Sequence, residues 1–207
     1  MELDLAPAAP ARDRRVRRSR AALTRAAVAL VTERGTAAIP ISDIAAAADV
    51  SRQLVYQHFG DRDALLLEAA LDLVRTELLP RLTEAESLDG RSGALVVTRY
   101  FAEHRVFYRA MLNSSSAFAL NKALGGLFVP VNRRAIERHF ARDLDPQRAE
   151  DLAVFMTGGG ANVINEWLIG ADDPLDPEDL ADRIVALVDL FATALPQIAT
   201  STKENDR

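Results

Sequence analysis

Apolar residues recur along this chain at helical spacing, and no stretch shows the strict alternation of a strand or an Asn-Gly hairpin signal. The pattern predicts an all-α fold. Between about Val16 and Arg34, Leu23, Ala27, Leu30 and Val31 fall at i, i+4, i+7 and i+8, and Gly35 follows where a C-terminal cap belongs. A second, short helix is predicted from about Ile41 to Ala48, with Ile44, Ala45 and Ala48 inward. After a turn at Asp49-Val50, Ser51 is placed to cap a third helix that reaches about Phe59 and buries Val55 and Phe59. Asp61 caps a long fourth helix carrying Leu65, Leu66, Ala69 and Leu73, interrupted near Pro80 and ended by Asp89-Gly90. Four more helices are predicted at about 91–112, 115–142, 146–169 and 177–199, the second of them broken by Gly125, Gly126 and Pro130. Asp145-Pro146 and Asp176-Pro177 each set a capping acid before a proline at the first helical position.

Composition narrows the class. At 207 residues and 49% hydrophobic content the chain can bury a substantial core. The absence of cysteine excludes disulfides, thiolate metal sites and cysteine nucleophiles. The first ten residues, MELDLAPAAP, lack the basic start and apolar run of a signal peptide, and no stretch is apolar enough to cross a membrane, so a cytoplasmic protein without a membrane partner is expected.

The formal net charge of −5 argues against a nucleic-acid partner until its distribution is considered. Residues 11–62 hold ten Arg against five acids, whereas the rest, from totals of 25 bases and 30 acids, holds fifteen against twenty-five. A basic N-terminal quarter on an acidic body is the asymmetry of a protein with one end on DNA. The run RDRRVRRSR at 12–20 reads either as a solvated first helical turn or as a basic arm that touches phosphates or a minor groove.

The segment IAAAADVSRQLVYQHFGDR at 44–62 is two short helices joined by a tight turn, the first rich in Ala so that the second can pack close across it. That is a helix-turn-helix, whose second helix enters the DNA major groove. With Val50, Val55 and Phe59 committed to the core, Arg52, Gln53, Leu54, Gln57 and His58 are the exposed positions. Arg pairs bidentately with guanine, Gln with adenine, and Leu54 suits a thymine methyl. Ser42, Ser51 and Arg17 complete the candidate DNA contacts.

Over the first helix through the start of the fourth, the chain resembles the tetracycline-repressor (TetR) family. The resemblance rests on Glu33-Arg34-Gly35, Ile44-Ala45, Val50-Ser51, Val55-Tyr56 with Phe59, and an acid and base ahead of Leu65-Leu66. It implies that Tyr56 bonds a phosphate and that Arg62, where the family usually has Lys, contacts another at the start of the fourth helix. Asp49 replaces the usual turn Gly, and Pro40 stands where a Ser or Thr usually caps the second helix, leaving either Pro40 as its first residue or Ser42 as the cap of a shortened one. Downstream, HRVFYRAMLNSS at 104–115, Asn165-Glu166-Trp167-Leu168 and Asp176-Pro177-Glu178-Asp179-Leu180-Ala181 resemble one C-terminal class of the family, which implies a ligand-binding and dimerisation domain.

Other motifs carry little chemistry. Thr157-Gly158-Gly159-Gly160 has no Lys-Ser/Thr after it and no strand before it, so close helix packing is expected rather than a phosphate loop. Asp172, Asp173, Asp176, Glu178 and Asp179 lack calcium-loop spacing and are read as helix-start acids. His58, His104 and His139 are scattered, and Ser114-Ser115-Ser116 has no nucleophile-elbow context. No metal, cofactor or enzymatic activity is expected.

The expected organisation is a tail at 1–11, a DNA-binding domain at 12–60, a helical effector-binding and dimerisation domain at 61–199 and a tail at 200–207. A cavity in the second domain, lined by Phe101, His104, Tyr108, Met111, Phe128, Phe155 and Trp167, is expected to take a small, largely apolar effector. The stripe Leu180, Ile184, Leu187, Phe191 and Ile198, together with the helix around 152–168, which is apolar on more than one face, is the expected homodimer surface. The function read from these features is an operator-binding regulator, a repressor released by its effector. The rivals are a helical ligand- or protein-binding module, a regulator governed by a protein partner, and an all-helical enzyme.

Overall fold

The computed structural model describes residues 9–85, 90–140, 144–172 and 174–204, and among these the secondary structure is entirely helical. The head consists of α1 (Ala9–Arg34), α2 (Ile41–Ala47) and α3 (Arg52–Phe59). Then α4 (Arg62–Leu73) passes through a π-helical turn, Val74–Leu78, into α5 (Leu79–Ala85). The body adds α6 (Gly90–Glu103), α7 (Arg105–Leu112), α8 (Ala117–Phe140), α9 (Pro146–Gly170) and α10 (Pro177–Glu204).

Local chemistry sets most of the ends. Gly35 takes a left-handed φ of 65° and its N–H bonds the Val31 carbonyl at 2.9 Å, closing α1 as expected. Pro40 is extended at the N-cap of α2 and gives no side-chain cap, so the helix starts at Ile41, between the two alternatives the sequence left open. The Asp61 and Asp145 carboxylates accept amide N–H groups of α4 and α9. Near Pro80 the fourth helix does change character. Proline has no N–H and crowds the carbonyl four residues back, and the backbone ahead of it widens so that the Leu79 amide reaches Val74, five residues back.

Four expectations are corrected. First, α1 begins at Ala9, inside the segment read as a tail, so the basic run lies on a helix; residues 1–8 lie outside the described residues. Second, the helix expected over 91–112 is two, because His104 leaves helical geometry (φ −104°, ψ 21°) and resets the direction of α7 so that Arg105, Phe107, Tyr108, Ala110 and Met111 all turn inward. Third, α8 runs unbroken through Gly125, Gly126 and Pro130; Gly126 and Pro130 are exposed, so the carbonyl that loses its amide partner faces water. Fourth, the C-terminal helix extends to Glu204, past the expected end.

One apolar core runs from the head into the body. Leu23, Ala27 and Val31 of α1 and Ile44 and Val55 of the head join Leu65, Leu66 and Ala69 of α4, and the cluster continues through Tyr100, Phe107, Met111, Leu120 and Leu168. Through these residues α4 packs against both head and body. Polar ties reinforce it: Thr24 Oγ1 donates to Asp72 at 3.1 Å, and the buried Tyr108 hydroxyl, 2.7 Å from that of Tyr100, reaches the Ala70 carbonyl at 3.3 Å. Further out, α8 pairs with α9, and α10 packs on α6. No helix among the described residues is long and apolar enough to cross a membrane.

Candidate nucleic-acid interface

The turn between α2 and α3 is built by Asp49, whose left-handed φ of 53° any glycine would adopt freely and which Asp tolerates better than most residues. Its N–H bonds the Ala46 carbonyl, and that of Val50 bonds Ala45. Ser51 Oγ then accepts the Leu54 amide at 3.3 Å, starting α3. At the far end Gly60, with φ 82°, caps onto the Tyr56 carbonyl. Arg34 of α1 holds Asp43 of α2 at 2.7 Å, and this hydrogen bond keeps the Asp43 carboxyl below its usual range.

On α3, Val55 is fully buried while Arg52, Gln53, Tyr56 and Gln57 are exposed. Arg52 with Tyr56, and Gln53 with Gln57, are four residues apart, so all four share one face. A large aromatic such as Tyr56 left 48% exposed beside a guanidinium and two amides suits a polar partner better than it suits water alone. Ser42, Ser51 and Arg17 are also exposed, and Arg14, Arg15 and Arg18 extend the basic surface along α1. Leu54 is half-buried.

His58 stands differently from its expected place on the DNA face. Its Nε2 lies 2.9 Å from Ser19 Oγ, its carbonyl accepts from Arg20 at 2.8 Å, and the Arg20 guanidinium lies over the Phe59 ring at 4.4 Å. The residue is thus an internal brace that fixes the end of α3 against α1, and neither Ser19 nor Arg20 was singled out in the sequence. Burial, aided by the Arg20 charge, lowers the His58 pKa from 6.5. The folded head therefore resists a proton that the unfolded chain accepts. The contribution of the neutral ring is fully present above that ordinary value and is lost as pH falls below it. Urea midpoints measured at about pH 5.5 and 7.5 are expected to drop at the acid end, and the drop should shrink in His58→Gln; an equal drop in the variant would reassign it to other groups.

Arg62 opens α4 and turns along it to Asp63, with Nε 3.0 Å from Oδ1. Burial would raise the Asp63 pKa, but hydrogen bonds from Arg62 and Ser115 and the Arg62 charge outweigh it and hold the carboxyl below its usual range. Ser115 Oγ donates to Asp63 at 3.1 Å, a contact between the base of α4 and the link from α7 to α8.

The residues expected to line an effector cavity do not form one group. Phe101, Tyr108, Met111 and Trp167 are buried in the packed core, Phe128 packs partly against it, and His104 bonds Glu77 at 3.1 Å. Phe155 is 60% exposed on α9, because the inward face of that helix is taken by Ala153, Thr157 and Ile164. None of the seven lines the cleft of about 630 Å3 at the junction of head and body. The expected dimer stripe also divides. Leu180 is fully buried and Ile184 packs against its own core, because α6 lies on the start of α10 and pairs with it through Arg99–Glu178 and Arg91–Asp182. Leu187 is 45% exposed and Leu190 67%, whereas the side chains of Phe191 and Ile198 lie outside the described residues. Gly158, Gly159 and Gly160 have open space where a side chain would begin, so among the described residues they do not serve close packing. At the start of α10, the Asp176 carboxylate accepts the Asp179 amide as a cap.

Sequence and structure comparisons agree with this architecture. The model described as bacterial regulatory proteins, tetR family, matches residues 23–69, and that described as transcriptional regulator C-terminal region matches residues 91–190. HTH-type transcriptional repressor Rv3405c of Mycobacterium tuberculosis and HTH-type transcriptional regulator Mb3439c of Mycobacterium bovis are each 42% identical over 94 residues, which is 45% of this chain and 46% of the relative. The matched stretch thus spans about half the length of these relatives. The fold is shared with a TetR-family transcriptional regulator structure from Rhodococcus sp., at TM-score 0.61 and 21% identity over 84% of this chain and 97% of that one. It is shared also with the dihydroxyacetone kinase operon activator DhaS, at TM-score 0.56 and 16% identity over 86% and 97%. Head and body are each matched, in the order and at the positions where the helix-turn-helix and the helical domain lie, and the chain belongs to the TetR family of bacterial regulatory proteins.

Proposed function

We propose that the protein is a homodimeric transcriptional regulator that binds double-stranded operator DNA through α3 and acts as a repressor released by a small effector. The observation that carries this reading is the face of α3, where Arg52, Gln53, Tyr56 and Gln57 are exposed together while Val55 anchors the helix from behind. Arg52 and Gln53 at the helix N-terminus have the chemistry to read guanine and adenine edges, and Tyr56 and Arg62 to hold phosphates. Repression needs only occupancy of the operator, and one relative is named a repressor. The shared core supports release by an effector: a ligand that prefers a body shape with α4 displaced would draw the head with it, and its leverage equals its difference in affinity between the two shapes.

Fluorescence anisotropy on the regulator's own upstream DNA tests this. Arg52→Ala is expected to cost about 1–3 kcal/mol and to relax preference at one base position, while Tyr56→Phe and Arg62→Ala weaken binding across sequences. Arg62→Ala should also flatten the salt dependence, because one phosphate contact fewer releases fewer counterions. Wild-type affinity in all three variants would remove the DNA-binding reading.

A further inference from the structure

The cleft at the junction of head and body is bounded by the link from α1 to α2, the first turn of α4, the outer side of α7 and the link from α7 to α8. Its volume, about 630 Å3, is that of a small-molecule site. Three guanidiniums, Arg62, Arg105 and Arg109, line it against one carboxylate, Asp63. The commitments of these groups differ. Arg105 is buried and donates to the carbonyls of Leu168 and Ala171. Asp63 is already engaged by Arg62 and Ser115, so its charge is compensated within the cleft. Arg109 is exposed, and its guanidinium has no hydrogen-bond or ion-pair partner among the described residues. Ala38 and Val106 supply an apolar wall beside these cations.

An excess of positive charge, one uncommitted guanidinium and an adjoining apolar wall select a ligand with an anionic head and a short apolar body. We propose that this cleft binds a small organic anion, a carboxylate or a phosphate ester, held by Arg109 and Arg62 with its apolar part against Val106. This names the chemical class of effector for the function proposed above, and it rests on that reading for its consequence on DNA. Arg62 belongs both to the cleft and to the residues assigned to the operator phosphates. A ligand anion and a DNA phosphate therefore compete for one guanidinium, and the ligand also loosens the Arg62–Asp63–Ser115 tie that sets the base of α4 against the body. Linkage requires the effect to be reciprocal, so operator DNA weakens the anion by the factor with which the anion weakens the operator.

Isothermal titration of the full-length protein with benzoate, phenyl phosphate and the neutral analogue benzyl alcohol tests the site without DNA. At least one anion is expected to bind at one site per chain while benzyl alcohol does not, and the tighter of the two anions identifies the head group. Arg109→Gln should weaken that anion about tenfold or more, and Arg109→Lys should restore part of the loss. Equal binding of benzyl alcohol, unchanged affinity in Arg109→Gln, or no heat from either anion at about 10 mM would overturn the site. Repeating the titration on the operator complex then tests the coupling. A severalfold loss of anion affinity supports it, and unchanged affinity refutes competition for Arg62. Since the first titration contains no DNA, a failure of operator binding by the free protein is read separately from a failure of the anion site.

Discussion

For the homodimer proposed above, Phe155→Glu is expected to give a monomer and to lower operator affinity by about 10²–10⁴-fold. The helix that carries Phe155 is apolar on two faces. Its inner face, with Ala149, Ala153, Ile164, Trp167 and Leu168, is buried in the chain's own core. Outward it bares Val154 at 52% and Phe155 at 60%, and one turn on it presents Gly158 and Gly159 with open space around them. A bulky apolar pair followed by glycines is a surface that another helix can approach closely, and its burial by a second copy removes an apolar strip from water. On α10, Leu187, Val188 and Leu190 form a second exposed strip. Two-fold symmetry doubles each substitution, so one glutamate per chain brings two carboxylates into the interface, where their desolvation has no compensating partner. In that proposed dimer each protomer would supply one recognition helix, so loss of the dimer would remove the second half-site contact and the avidity it gives. Light scattering and operator anisotropy on the same sample measure both effects. A dimer with wild-type affinity would take this face of α9 out of the interface, and Leu187→Glu asks the same question of α10.

A second large effect is expected at Arg105, which no sequence signal marked. Its guanidinium, carried by α7 and only 8% exposed, donates to the carbonyls of Leu168, at 3.1 Å, and of Ala171. The last carbonyls of a helix have no amide partners, and the C-terminal end of α9 carries the negative end of its dipole, so a buried cation there serves as a cap supplied from another helix. Arg105→Met keeps much of the apolar stem and removes both charge-assisted bonds. Each is worth about 1.5–3 kcal/mol, giving an expected loss of about 3–6 kcal/mol. For a chain of this size that lowers the thermal midpoint by roughly 6–24 °C. A midpoint within about 2 °C of wild type would mean that water satisfies these carbonyls instead.

The head was legible because its determinants are local. Spacing alone assigned Leu23, Ala27 and Val31 to the core face of α1 and Val55 to that of α3, and capping chemistry placed the starts at Ser51, Asp61 and Asp145. The turn depends on one backbone angle at Asp49, a residue type that tolerates it. The bracing contacts of His58 were not legible, because its polarity and position on α3 describe an outward residue equally well and its partners Ser19 and Arg20 lie about forty positions earlier in sequence.

In the body the same reasoning fails for a physical reason. Periodicity says that a helix face is apolar, but burial against the chain's own core and burial against a second copy leave the same pattern. Phe101 and Phe155 are therefore indistinguishable in sequence, although one is packed inside and the other bared on α9. Leu180 and Leu187 sit on one stripe of α10, yet the first is fully buried and the second 45% exposed. The junction cleft was invisible for the same reason, since Arg62, Arg109 and Ser115 come from separate elements and meet only because α4 and α7 pack around one core. Local sequence chemistry assigned the core faces of the head helices, the caps at Ser51, Asp61 and Asp145 and most of the exposed face of α3, because these follow from interactions a few residues apart. Tertiary structure alone decided which apolar faces remain open and which distant charges converge, because those depend on where one helix is laid against another.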